Sequence, residues 1–250
     1  MKNLFENLQF SHSEKLIFLH NLLLALCLST IAGCVNAIGF ISTGHFTTSV
    51  TTRVTTLGVG IAESSKKLLE MGGIWWFLFL GGAIFSNAFF HYFAARNKNP
   101  HYVYMFLLLV EGFFFLILII TGFNGKFSIP EFYYVAAQFF VMGSQNALVT
   151  KLSGAIVRTT HVTSMTTDFG MSIAWRFFLS KEIDDRKKWF KQISIQGTVI
   201  FSFLLGSLLG GILYISIAFN AYIFPLLIII ILIIVENYYI RAIINIHEEI

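Results

Sequence analysis

Residues 192–235 read QISIQGTVIFSFLLGSLLGGILYISIAFNAYIFPLLIIIILIIV and contain no Asp, Glu, Lys or Arg. As one helix this stretch would extend about 66 Å, roughly twice the thickness of the hydrocarbon core of a bilayer. The chain must therefore turn within it, and Asn220 and Pro225 mark the turn. We predict two membrane-spanning helices here, near 195–218 and 222–240.

The composition of the whole chain is that of an integral membrane protein. Of its 250 residues, 56% are hydrophobic and only 12% are charged, whereas soluble domains carry about 25% charged residues. Disordered and collagen-like classes and most soluble enzymes are thereby excluded. Cys27 and Cys34 are too few for a disulfide framework or a four-cysteine metal site. The net charge of +4 is attributed to membrane topology rather than to nucleic-acid binding.

Four further spans are predicted from other stretches with few charges. Residues 16–52, 71–95 and 132–150 carry none, and residues 102–122 carry only Glu111. Because a spanning helix needs about 20 apolar residues, each stretch has room for a span. These spans lie near 16–38, 73–94, 102–122 and 132–150, so that the fold class is an all-α polytopic membrane protein with about six spans.

The distribution of Lys and Arg orients the spans, because cytoplasmic loops carry an excess of both. With the N-terminus in the cytoplasm, 13 of the 17 Lys and Arg residues fall on the cytoplasmic side. We therefore expect both termini in the cytoplasm.

Two stretches about 110 residues apart repeat each other. They are GCVNAIGFISTGHFTTSVTTRVTTLGVGIA at 33–62 and GSQNALVTKLSGAIVRTTHVTSMTTDFGMSIA at 143–174. The matched residues include the pairs Asn36 and Asn146, Thr48 and Thr160, Thr51 and Thr163, Thr55 and Thr167, and Gly58 and Gly170. Chance similarity between apolar helices would not reproduce polar residues. The predicted organisation is a cytoplasmic segment 1–14, membrane repeats 15–122 and 131–240, and a cytoplasmic tail 241–250.

The orientation of the repeats depends on whether the Thr-rich segments cross the membrane. If they do not, each repeat has three spans and the second is inverted relative to the first, as in many secondary transporters. If they do, the chain has eight spans in parallel repeats. Charge counting does not decide between the two. We prefer six spans, because eight would bury Arg53, Arg158 and Arg176 within the membrane at a high energetic cost.

The Thr-rich segments have helical spacing, with Thr48, Thr51 and Thr55 in the first copy and Thr160, Thr163 and Thr167 in the second each on one face. One interpretation is that these faces pack helices together, with the hydroxyls bonded to their own backbone. The other is that the segments are broken or re-entrant and line a polar site between the repeats.

The same residues carry a resemblance to a known family. Residues 33–37, 46–53 and 57–58 in the first copy, and 145–147, 157–160, 162–163 and 168–170 in the second, resemble motifs of the YoaK family of bacterial inner-membrane proteins. The chain departs from the Thr-Gly-Asn of that family, with Thr51-Thr52-Arg53 in one copy and Thr163-Ser164-Met165 in the other. The resemblance implies six spans and a location in the bacterial inner membrane, and it supplies no substrate.

Individual polar residues complete the predicted site. Glu111, near the middle of its span, is a candidate coupling site for protons or cations, or else a neutral hydrogen-bonding residue. Asn36, Gln145 and Asn146 can satisfy backbone groups at a helix break or contact a ligand. Glu236, near a span end, is expected to be hydrated at the membrane interface.

Arg158 and Asp168 are expected to act as gate or support, and we rank a pairing of Asp168 with Arg158 or Arg176 above any catalytic role. No nucleophile–base arrangement and no metal-ligand spacing appears, so we expect neither an enzyme nor a cofactor.

The sequence predicts a small secondary transporter or exporter of a small polar solute or ion. The alternative is a structural or sensor membrane protein. The expected partners are the lipid bilayer and the solute, without nucleic acid, and a homo-oligomer is left open.

Overall fold

The computed structural model describes residues 2–94, 96, 100–122, 130–153, 157, 159, 162–179 and 183–248. Arg158, Thr160 and His161 lie outside these described residues. Within them the chain is helical and forms no strand. The eight α-helices are α1 (Lys2–Thr43), α2 (Val50–Ala62), α3 (Lys66–Ala94), α4 (Pro100–Thr121), α5 (Glu131–Leu152), α6 (Val162–Ala174), α7 (Ile183–Ile217) and α8 (Ile223–Glu248).

The prolines fix where three of these helices begin. Pro100 is the first residue of α4, Pro130 caps the N-terminus of α5, and Pro225 lies in the first turn of α8. These positions tolerate proline because the first N–H groups of a helix have no intrahelical acceptor. The break predicted between α7 and α8 is present as a five-residue 3₁₀ turn, Ala218–Tyr222, which contains Asn220.

Four stretches of the described chain are long and apolar enough to cross a membrane. They are Lys15–Thr43, Lys66–Phe93, Tyr102–Thr121 and Arg186–Tyr238. The last holds two helices, α7 and α8, on either side of the 3₁₀ turn. The 22-residue α5 is outside this set, because Gln138, Gln145 and Asn146 lower its hydropathy. The protein is thus a membrane-type helical protein with four candidate spanning stretches.

Glycine contacts bring α1 against α7. A Cβ atom on Gly33 of α1 would overlap the carbonyl oxygen of Phe203 on α7, and one on Gly206 of α7 would overlap that of Thr30 on α1. Ser207 donates a hydrogen bond to the Gly33 carbonyl at 3.2 Å. Small residues therefore permit the close backbone approach, as in other membrane helix pairs.

The pair formed by α3 and α5 uses the same arrangement. A Cβ atom on Gly143 of α5 would overlap the carbonyl oxygen of Phe79 on α3, and one on Gly82 would overlap that of Phe140. The contact positions on α1 and α5 are related by one offset (33 to 143 and 30 to 140). Those on α3 and α7 are related by another (79 to 203 and 82 to 206). The first long helix of each half thus packs against the second long helix of the other half.

The two Thr-rich segments form short helices that lie along the helices that follow them. An ideal Cβ on Gly72 of α3 would lie 2.7 Å from the Leu57 Cα of α2, and one on Gly60 would lie 2.7 Å from the Leu69 nitrogen. In the second half, an ideal Cβ on Gly197 of α7 would lie 3.3 Å from the Phe169 ring of α6. Both α2 and α6 have 13 residues and are about 20 Å long, shorter than a hydrocarbon core of about 30 Å.

Candidate functional site

The chain folds back on itself after α1 and is held there by Asn36. After Thr43 the backbone turns at Gly44, whose φ of +73° lies in the region that favours glycine. The Thr48 backbone N–H and hydroxyl then donate hydrogen bonds to Asn36 Oδ1 at 3.1 and 2.9 Å. Asn36 therefore satisfies backbone at the chain break, which is one of the two roles considered for it, and it positions the start of α2.

The N-terminal turns of α2 and α6 line one cavity of about 650 Å³, which we name the threonine cavity. Its lining consists of residues 48–52, residues 162–164 and Phe203. Thr51 and Thr163, predicted to approach each other, both belong to it. Six of the nine lining residues carry hydroxyls and none is charged. The starts of the two helices add backbone N–H groups without intrahelical acceptors, so the cavity presents short dipoles to a ligand.

The remaining threonines of the predicted site lie farther along the two helices. Thr55 lines a neighbouring cavity of about 360 Å³ that it shares with Thr51. Its hydroxyl donates to the Thr51 carbonyl at 3.0 Å, and that of Thr167 donates to the Thr163 carbonyl at 3.2 Å. These bonds are the ones expected of threonines in a helix. Both side chains nevertheless remain exposed.

The two amides of the second repeat do not line the threonine cavity. Gln145 is buried, and its side-chain amide donates to the Leu28 carbonyl at 3.2 Å, which ties α5 to α1. Asn146 is half-buried on the same helix, and its carbonyl accepts a hydrogen bond from Thr150. Asn36, Gln145 and Asn146 are thus not among the residues that line the cavity.

The ion pair favoured for Asp168 is not formed with Arg176. Asp168 is exposed on α6, and the Arg176 guanidinium lies 5.6 Å from the centroid of the Phe177 ring. The ion pairs in the described part of the chain do not include Asp168. The other proposed partner, Arg158, lies outside the described residues, as does the threonine-face residue Thr160.

Two buried carboxyl groups lie on α4 and α8, and α8 contacts both α1 and α4. Glu236 of α8 is fully buried, and its Oε1 lies 2.5 Å from Nε2 of His20 on α1. Glu111 of α4 is also buried, and its Oε1 has no hydrogen-bond partner among the described residues. Tyr104 of α4 is buried as well, and its hydroxyl has no hydrogen-bond partner among the described residues. The expectation of a hydrated Glu236 was therefore wrong, because helix α1 covers this end of α8.

Comparison with protein-family models assigns the chain to a family. The model of a family described as "Protein of unknown function (DUF1275)" matches residues 24–235. The chain belongs to the DUF1275 family. No curated protein matches the chain, and no solved structure matches it. Membership in DUF1275 is consistent with the resemblance to the YoaK family noted from the motifs.

The region that this DUF1275 chain shares with its family contains the threonine cavity and Glu111. His20 and Glu236 lie just outside it. In the part of the chain that the structure describes, no three His, Cys, Asp or Glu side chains are grouped closely enough to hold a metal ion. The lining of the site thus consists mainly of residues with hydroxyls and of the first turns of two helices, and it contains no acidic side chain.

Proposed function

We propose that this protein is a small secondary transporter or exporter whose solute binds in the threonine cavity. One observation carries the proposal. Two segments about 110 residues apart in the sequence each contribute the first turn of a short helix to the same cavity. Secondary transporters bind their solutes in this way, between two repeats and at the ends of discontinuous helices.

The proposed architecture has six spans in two inverted halves within the bacterial inner membrane, with both termini in the cytoplasm. The 13-residue helices α2 and α6 support it, because each is too short to cross. The matched glycine contacts of α1 with α7 and of α5 with α3 support a pseudo-two-fold relation between the halves. On this arrangement α2 and α6 are re-entrant, and their first turns meet near the bilayer centre.

The lining of the cavity favours a small polar solute or a partly dehydrated ion. Six of its nine lining residues carry hydroxyls, at positions 48, 49, 51, 52, 163 and 164, and its largest apolar side chain is Phe203. A bulky lipid would need more apolar surface than this lining offers. Coupling would reside in the buried carboxyl groups of Glu111 and Glu236, the second of which is paired with His20, since ionisable groups inside a membrane mark proton and ion pathways.

A structural or sensor protein is the second candidate, and the threonine hydrogen bonds favour it. The hydroxyls of Thr55 and Thr167 are already bonded to their own helices, and Asn36 is occupied by Thr48. If every polar group of the Thr-rich segments is hydrogen-bonded within the protein in this way, these helix faces can serve packing alone and bind no solute.

A ligand screen on detergent-purified protein separates the two candidates. A solute that binds only the folded protein raises its melting temperature, and we expect such a solute among amino acids, organic acids, nucleobases and inorganic ions. Thr51→Val and Thr163→Val should each weaken the shift by removing a cavity hydroxyl. Thr121→Val is the matched control, because its hydroxyl bonds the Ile117 carbonyl on α4, outside the cavity. A panel without any shift would favour the structural candidate.

A further inference from the structure

A buried arginine without an acidic partner lies in the first turn of α2. Arg53 is only 5% exposed. Its Nη1 lies 3.4 Å from His45 Nδ1, and its guanidinium carbon lies 5.4 Å from the centroid of the Phe139 ring. Among the described residues its Nε has no hydrogen-bond partner, and no ion pair includes it. The positive charge is therefore uncompensated by any carboxylate described in the structure.

Further donors around Arg53 are buried and equally without partners. They are the Trp75 indole N–H, the Thr47 hydroxyl and the Gln138 amide, none of which has a hydrogen-bond partner among the described residues. Contacts gather these groups around His45. The centroid of the His45 ring lies 5.8 Å from that of Trp75. An ideal Cβ on Gly39 would lie 3.2 Å from the carbonyl oxygen of His45 and 2.9 Å from the methyl carbon of Thr47.

We name these residues, His45, Thr47, Arg53, Trp75 and Gln138, the arginine cluster. Leaving a buried donor unsatisfied costs about 1–3 kcal/mol, and more when the donor is charged. The cluster holds one cation and several neutral donors, with Phe139 packed beside them. A negative ion would satisfy these groups together, because each can donate to it and the guanidinium would neutralise its charge.

The other half of the protein shows that the fold does not need this chemistry. The sequence repeat and the glycine contacts relate His45 to Val157, Arg53 to Met165, Trp75 to Val199 and Gln138 to Leu28. All four counterparts are buried and apolar. The counterpart of Thr47 is Thr159, which is likewise a buried hydroxyl without a hydrogen-bond partner among the described residues. The donors that packing alone does not explain are therefore those of Arg53, Trp75 and Gln138.

We propose that the arginine cluster is a binding site for a small monovalent anion, either an inorganic ion or the carboxylate of a small organic acid. The ion must be small, because the Gln138 Oε1 atom would lie 2.5 Å from an ideal Cβ on Gly39 and the cluster is closely packed. The site goes beyond the proposed transport function, since an anion can bind here whether or not the threonine cavity carries a solute.

The first test measures melting temperature in sodium salts at constant ionic strength, with methanesulfonate as the reference anion. Chloride and nitrate represent inorganic ions, and formate and acetate represent carboxylates. We expect a saturable rise of about 3 °C at ten times the dissociation constant for at least one of them. If chloride or nitrate gives the largest rise in melting temperature, the ligand is an inorganic ion. If formate or acetate gives it, the ligand is a carboxylate. Equal melting temperatures in all five salts would overturn the proposal.

Substitutions taken from the other half supply matched variants. Arg53→Met and Gln138→Leu introduce the residues found at Met165 and Leu28, so both should fold. Arg53→Met should abolish the anion-dependent rise, and Gln138→Leu should raise the dissociation constant at least several-fold. Arg96→Met is the control, because Arg96 is exposed and stacks on Tyr92. A rise that survives in Arg53→Met would disprove the assignment.

A second readout reports on Trp75 directly and does not require a variant of Arg53. Replacing Trp76, Trp175 and Trp189 with Phe leaves Trp75 as the only indole. Bromide bound in the cluster should quench its fluorescence along a saturable curve, and the anion that stabilises the protein should compete. Quenching that increases linearly with bromide would indicate collision alone and reject the site. Thr51→Val should keep both signals, which separates this site from the threonine cavity.

Discussion

His20 and Glu236 form a hydrogen-bonded pair at 2.5 Å although their sequence positions differ by 216. The two side chains are 8% and 0% exposed, and they join the first long helix to the last. A buried pair of this kind is expensive to break, because loss of one partner leaves the other uncompensated in a medium of low dielectric constant.

Removal of the Glu236 carboxyl group should therefore destabilise the protein strongly. We expect Glu236→Ala to reduce the free energy of unfolding by about 3 kcal/mol and Glu236→Gln to reduce it less, since the amide still hydrogen-bonds. Unfolding in mixtures of mild detergent and dodecyl sulfate measures both. Glu131→Ala, at an exposed carboxylate, should leave the unfolding curve in place. Equal curves for all three variants would contradict a structural role of the pair.

Glu111 is expected to affect transport rather than folding. If it carries coupling protons or cations, Glu111→Gln should abolish ion-driven flux in proteoliposomes while leaving the folded yield nearly unchanged. The amide keeps the shape of the carboxyl group but cannot ionise. Flux at the wild-type rate would make Glu111 a structural residue. A threonine-cavity ligand identified in the thermal-shift screen is the solute to use.

The helices of this fold were predictable, but their partners were not. Long apolar runs between charged loops placed all six long helices, and Asn220 and Pro225 marked the break between α7 and α8. Hydropathy carries no information on which helix packs against which, so the pairing of α1 with α7 could not be read from it. Glu236 was expected to be hydrated because it lies near the end of a predicted span. Its position along the span does not reveal that His20 of another helix covers it.

The candidate site was likewise predictable only in part. The repeat predicted that the two Thr-rich segments would meet, because equivalent segments of inverted halves lie around one axis. The arginine cluster was missed, since Arg53 comes from α2, Trp75 from α3 and Gln138 from α5. The sole local signal was the arginine that replaces the family's asparagine in the first motif.

Adjacent glycines on α3 offer a direct test of the helix contacts. Gly82→Ala should reduce the free energy of unfolding by about 1–3 kcal/mol, because its Cβ would meet the Phe140 carbonyl of α5. Gly81→Ala should be neutral or stabilising by up to about 1 kcal/mol, since a Cβ there has no neighbour within 4 Å and alanine favours helix. Detergent unfolding compares the two. The packing would be refuted by a Gly82→Ala variant as stable as Gly81→Ala.

Labelling of introduced cysteines tests the proposed topology. In a background with Cys27 and Cys34 replaced by Ala, cysteines at Lys66 and Lys67 should react with an impermeant reagent added outside the cell. Cysteines at Lys187 and Lys188 should be protected. All four side chains are exposed, so their accessibility depends on the side of the membrane. Protection at 66 combined with labelling at 98 would instead indicate eight parallel spans.

The pairing of α1 with α7 also imposes an order on biosynthesis. Gly33 leaves the ribosome about 170 residues before its contact Phe203, which at 5–20 residues per second corresponds to roughly 10–30 s. During that time α3 and α5, much closer in the chain, can already have joined, while the glycine face of α1 rests against lipid. The nascent protein is therefore only partly assembled until α7 is inserted. A chain truncated before α7 leaves the glycine face of α1 exposed to the machinery that monitors newly made membrane proteins.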